Sequence, residues 1–69
     1  MKNWKMVIAR NDKNLTQSEL AEQIGVARQT IHLIEQGNYN PSIKLCIAIC
    51  EALDVTLNDI FWNKNGGGD

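Results

Sequence analysis

The run from Thr16 to Ile31, TQSELAEQIGVARQTI, constrains this chain more than any other part of it. Thr16-Gln17-Ser18-Glu19 has the form of a capping box, with the hydroxyl at the helix start and the carboxylate three residues on. Leu20, Ala21 and Ile24 follow at helical spacing. Gly25 then stops the helix, because a residue without Cβ enters the left-handed conformation without steric cost. Val26 is positioned to plug the crevice between two helices, and a second helix opens at Arg28. Two short helices meeting at a glycine turn must pack across one another.

With 69 residues the chain is one domain at most. A domain this small buries only about 60% of its unfolded surface, so its core must be well packed or completed by a partner. Hydrophobic residues make up 43%, which fits a folded domain. No apolar run approaches the ~20 residues of a membrane span. Lys2 and Lys5 precede only a short apolar patch without small residues after it, so a signal peptide is not expected, and a cytoplasmic location is.

Hydrophobic periodicity predicts five helices. The first runs about Trp4 to Asp12, with Met6, Ala9 and Lys13 on one side and Asn14 as a left-handed stop. Val7 and Ile8 widen its apolar surface beyond one packed face. Helix two opens at Thr16. Helix three runs about Arg28 to Gln36, with Ile31 and Ile34 inward, Ala27 near the start, and Arg28, Gln29, His32 and Leu33 outward. Gly37 ends it. Ser42 caps helix four, about Ile43 to Leu53, whose stripe is Ile43, Cys46, Ile49, Cys50 and Leu53. Leu45 and Ile47 fall off that stripe. Asp54 ends this helix, and Thr56 caps a last short one from Leu57 to about Ile60. The expected domain is 1–62. The tail 63–69, with three consecutive glycines, is expected to be disordered.

Cys46 and Cys50 lie four apart on one helical face with nearly parallel Cβ vectors, which disfavours a disulfide. His32 stands on another element, so four metal ligands are lacking. Both cysteines read as small buried residues. With a single His, no paired carboxylates in a pocket context and no glycine-rich phosphate loop, an enzyme is not expected. No cofactor, metal or small-molecule ligand is expected either.

The helix–turn–helix at Gly25, followed by polar side chains, is a device for laying one helix in the major groove of double-stranded DNA. The net charge of −1 argues against DNA as a bulk property, yet the charge is unevenly spread. Residues 1–50 carry six Lys or Arg against four acids, and residues 51–69 carry one against four. Six basic residues are few for one chain to hold phosphate, and a dimer would double them.

The chain resembles the Cro/CI-type helix-turn-helix regulators, also called the xenobiotic-response-element type, over about Lys5 to Trp62. The matching residues are Arg10, Leu15-Thr16-Gln17, Leu20-Ala21, Gly25-Val26, Arg28-Gln29-Thr30-Ile31, Ile34-Glu35, Gly37, Asn40-Pro41-Ser42 and Asp59-Ile60-Phe61-Trp62. It is most similar to the short stand-alone dimeric repressors of that family. The resemblance implies an all-α, five-helix, lambda-repressor-like DNA-binding domain, with an optional short C-terminal β-strand for dimerisation. It implies base contacts from Arg28, Gln29, His32 and Leu33, and phosphate contacts along Gln17, Ala27, Thr30, Asn38, Tyr39 and Asn40. It also implies that Gln17 braces helix three and that Arg10 and Glu35 form a buried salt bridge. The chain departs from the family pattern at Ala27, where Ser or Thr usually caps helix three, and at Asp54, where Gly is usual. Leu33 is apolar on a face often polar, and Val7 and Ile8 replace typically charged residues.

Alternatives stay open at particular residues. Arg28 can fork onto guanine O6 and N7, and Gln29 onto adenine N6 and N7, or each can serve phosphate and solvent alone. His32 either contacts DNA or is an exposed polar residue. Leu33 either meets a thymine methyl or is simply an exposed leucine. Trp4, Ile60, Phe61 and Trp62 form either a lid on the monomer core or a two-fold interface. The function expected is a homodimeric, sequence-specific transcriptional regulator, a repressor acting on a palindromic operator. The alternative is an antitoxin that binds both DNA and a toxin, and a second rival is a relic serving only protein interaction.

Overall fold

Each helix starts on a side chain that accepts from its first turn, with one exception. In a computed structural model that describes residues 2–61, the helices are α1 (Trp4–Asp12), α2 (Gln17–Ile24), α3 (Arg28–Gln36), α4 (Ile43–Leu53) and α5 (Leu57–Ile60). Asn3 caps α1 by accepting from the Met6 N–H at 3.1 Å, a cap the sequence reading did not name. Thr16 and Glu19 form the reciprocal capping box on α2. Ser42 accepts from the Leu45 N–H, and Thr56 and Asp59 form a second box on α5. Ala27 is the exception: its backbone has the extended geometry of a cap, φ −73° and ψ 149°, but its methyl accepts nothing.

The chain reverses at left-handed residues. Gly25 has φ 78° and Gly37 φ 81°, where a Cβ is strained. Asn14 and Asp54 adopt the same conformation at φ 58° and 59°, at the C-terminal ends of α1 and α4.

The α2 helix packs on α3 and α4, α4 on α5, and α1 on α3 and α5. These contacts enclose a core of Met6, Leu20, Ile31, Ile34, Ile49 and Leu53, joined by Ala21, Cys50 and Ile60. The architecture is all-helical, and no strand occurs among the described residues. Cys46 and Cys50 are buried free thiols. Burial pushes both thiols above their ordinary pKa, which keeps them protonated and apolar. No helix among the described residues is long and apolar enough to cross a membrane.

Three expectations are corrected or narrowed by the packing. Ile43, placed on the inner stripe of α4, is 58% exposed, while Leu45, placed off it, packs against the core. Helical side chains lean toward the N-terminus, so the first residue of a helix leans past the packed region. Ile60, read as either a lid on the core or part of a two-fold interface, is buried within the chain at 5% exposure, where α5 meets α1 and α4, the position of a lid. The optional C-terminal strand does not form at Phe61, which has a right-handed helical backbone at the end of α5 and packs partly against the core. Trp62 and the tail 63–69 lie outside the described residues.

Candidate nucleic-acid interface

The site rests on a buried ion pair. Arg10 on α1 donates from Nε to Glu35 Oε2 at 2.7 Å and from Nη2 to Glu35 Oε1 at 3.2 Å. The two side chains are 13% and 2% exposed. A bidentate guanidinium–carboxylate pair holds both planes in register, which a lysine cannot do. Arg10 also donates from Nη1 to the Leu15 carbonyl at 2.9 Å, tying down the turn that leads into α2. The Asn3 N–H donates to the Glu35 carbonyl at 2.8 Å, so the start of the described chain is fastened to the end of α3.

From this pair the polar bonds run outward. Gln17, at the first turn of α2, donates from Nε2 to Glu35 Oε1 at 2.9 Å. Its Oε1 accepts from Arg28 Nη1 at 3.1 Å. One chain of hydrogen bonds therefore runs from α1 through α3 and α2 to the first residue of α3. Every buried side-chain polar atom among the described residues has a partner, as a buried network requires. Sequence spacing carried no sign of the two Gln17 bonds, which join residues 18 and 11 positions apart.

Arg28 and Gln29 are exposed on the first turn of α3, with exposed Ala27 preceding them. His32, Leu33 and Thr30 are half-buried rather than fully outward, because they flank the turn on which Ile31 and Ile34 enter the core. The Thr30 N–H donates to the Ala27 carbonyl at 3.0 Å. Asn38, Tyr39 and Asn40 are exposed in the loop after α3, and the Asn38 N–H closes that helix on the Leu33 carbonyl at 3.0 Å. Beside Gln17 and Arg28 lies an open hollow of about 610 Å³ that Asn11, Asn14, Thr16 and Ser18 also line. Sequence reasoning did not single these four out as surface neighbours of the site, although the Thr16 cap placed them close by.

Trp4 and Phe61 line a second hollow, of about 440 Å³, together with Tyr39, Pro41 and Ile34. Trp4 is 59% exposed, and the Lys2 ammonium lies 4.5 Å from its ring centroid, in cation–π range. Tyr39 thus belongs to both the loop and this aromatic groove. No cluster of His, Cys, Asp or Glu among the described residues could hold a metal ion.

Comparison with known proteins agrees with this geometry. The pattern of the Helix-turn-helix family matches residues 8–60. An uncharacterized HTH-type transcriptional regulator of Methanocaldococcus jannaschii is 49% identical over 61 residues, covering 88% of this chain and 91% of its own. The HTH-type regulator YgzD of Bacillus subtilis, also uncharacterized, is 45% identical over 47 residues, covering 68% of this chain and 71% of its own. Among solved structures, the restriction-modification controller protein C.AhdI of Aeromonas hydrophila superposes with a TM-score of 0.77 at 26% identity, over 83% of each chain. The SinR–SinI protein complex superposes with a TM-score of 0.82 at 28% identity, over all of this chain and 67% of the matched one.

Proposed function

The chain belongs to the Cro/CI-type helix-turn-helix family of transcriptional regulators, and on that premise we propose that it is a repressor that reads a palindromic operator as a homodimer. The observation that carries the reading is the hydrogen-bond chain ending on Arg28, which holds an exposed guanidinium at the front of α3. In the proposed complex α3 lies in the major groove. Arg28 meets guanine O6 and N7, Gln29 meets adenine N6 and N7, and His32 and Leu33 line the deeper wall. Gln17, Ala27, Thr30, Asn38, Tyr39 and Asn40 flank the phosphates, and these contacts set register rather than sequence preference. The hollow beside Gln17 and Arg28 offers room for a phosphate group.

The small number of basic residues supports homodimerisation. A chain of net charge −1 holds DNA weakly by itself, and pairing doubles both the basic residues and the reading helices. Trp4 and Phe61, with Trp62 next in the chain, are proposed to form the two-fold contact. Repression then acts by covering a promoter, on chromosomal DNA in the cytoplasm. The family is one of transcriptional regulators and not of enzymes.

Selection of bound sequences from a random duplex pool tests the reading. The expected result is an inverted repeat whose half-sites lie about 34 Å apart, one helical turn. Binding should fall steeply with added salt. Enrichment of no sequence would overturn the proposal.

A further inference from the structure

We propose that Glu35, a buried residue out of reach of DNA, determines the base preference of α3 by fixing which way the Gln17 carboxamide faces. This deepens the DNA-reading role proposed above and rests on it. A carboxamide has two unlike ends, a donor NH2 and an acceptor oxygen, of similar shape. Glu35, paired with Arg10, offers Gln17 only acceptor oxygens. The Gln17 NH2 must therefore turn toward Glu35, and its oxygen toward Arg28, as observed at 2.9 Å and 3.1 Å. The reverse orientation would set oxygen against carboxylate and NH2 against guanidinium, losing both bonds.

The consequence falls on Arg28. An unheld arginine sweeps a wide volume and meets phosphate or base alike. Held at Nη1 by Gln17 Oε1, the guanidinium keeps its other donors for an acceptor pair, which guanine presents at O6 and N7. The buried carboxylate thereby makes the first position of α3 a guanine reader.

Replacing Glu35 with Gln reverses the logic. Its oxygen must stay toward the Arg10 donors, so its new NH2 faces Gln17. The Gln17 amide then turns over and presents NH2 to Arg28, which releases the guanidinium. Glu35 is thus a positioning residue, and its effect is on selectivity.

Three forms of the protein are compared in random-pool selection: wild type, Glu35→Gln, and the double variant Arg10→Met with Glu35→Leu. The double variant keeps the fold testable, since apolar residues of similar volume commonly replace a buried pair without loss of stability. Glu35→Gln is expected to lose about tenfold in preference for guanine at the Arg28 position, the scale of one bidentate base contact, and the double variant, in which nothing anchors the Gln17 NH2 and Arg28 alone orients its oxygen, a smaller part of it. Their salt dependence, set by phosphate contacts, is expected to hold. Ile31→Val is the control for a merely structural effect: it lowers the melting temperature and keeps the guanine preference. NMR of the Gln17 side-chain NH2 in the free protein reads the polarity without DNA, and its protons should correlate with Glu35 in the wild type. Unchanged guanine preference in both variants, an equal loss in Ile31→Val, or an NH2 facing Arg28 in the wild type would each overturn the inference. A wild type that enriches no sequence would instead overturn the DNA-reading role, and the inference with it.

Discussion

The seam joining α1, α2 and α3 and the groove between Trp4, Tyr39 and Phe61 are finished in opposite ways. In the seam, Arg10, Glu35 and Gln17 use one another's polar atoms, and only the outer donors of Arg28 are left to face outward. In the groove, aromatic rings stay partly exposed, with Trp4 at 59% and Tyr39 at 45%. A closed polar network sets geometry, because moving one member breaks several bonds. An open apolar surface stores association free energy that only a partner can release. The seam therefore suits reading, and the groove suits pairing.

The largest expected effect breaks the seam. Glu35→Ala strands the Arg10 guanidinium at 13% exposure and removes three hydrogen bonds to its carboxylate. Removing one member of a buried pair costs about 3–5 kcal/mol. A single core in a domain this small rarely supplies more than about 3–5 kcal/mol, so the loss is comparable with the whole stability. Thermal or urea unfolding is expected to show a largely unfolded or much weakened chain, and near-normal melting would refute the structural weight given to the pair.

The groove responds differently. Trp4→Ala removes a ring that is mostly exposed and so changes monomer stability by less than about 1 kcal/mol. Self-association is expected to weaken by roughly tenfold, because large aromatic residues dominate interface energetics. Sedimentation equilibrium of wild type and variant checks this. A wild-type mass that stays monomeric across concentration would break the contrast between the two regions.

The seam and the groove were legible in the sequence to different degrees, for physical reasons. Helix limits were readable because they depend on neighbours: Thr16 with Glu19, Ser42 before α4, and the left-handed stops at Gly25 and Gly37. The Arg10–Glu35 pair came from family resemblance, since residues 25 apart share no local signal. The polarity of Gln17 lay beyond reach, because it depends on three helices brought together. Ile43 was misplaced and Ile60 left open for one reason. Periodicity tells which residues share a face, but not where a helix end overhangs its neighbours or where the chain folds back to cover itself. Ile43 overhangs the core, and Ile60 is covered.

A gain of function in stability sharpens the seam. Ala27 already has the extended backbone of a cap, so Ala27→Ser needs no rearrangement for its hydroxyl to accept from the first turn of α3. The gain expected is about 1 kcal/mol. In a domain of this size that corresponds to a melting temperature higher by about 4–8 °C. An unchanged melting temperature would show that the α3 N-terminus is already satisfied by solvent.

The smallest effect isolates what burial contributes. Lys13 and Arg10 lie three residues apart, and each meets a carboxylate on another part of the chain. Lys13 Nζ stands 3.8 Å from Asp54 Oδ2, with the side chains 44% and 88% exposed. Water screens such a pair, and ordering two exposed side chains costs entropy that cancels most of the attraction. Lys13→Ala is therefore expected to move unfolding by less than about 0.5 kcal/mol. The same measurement on Glu35→Ala then gives a difference of several kcal/mol between two ion pairs anchored three residues apart. A Lys13→Ala loss comparable to that of Glu35→Ala would mean that α1 is held by charge alone, whatever its solvent exposure. The seam would then owe nothing to its hydrogen-bond chain.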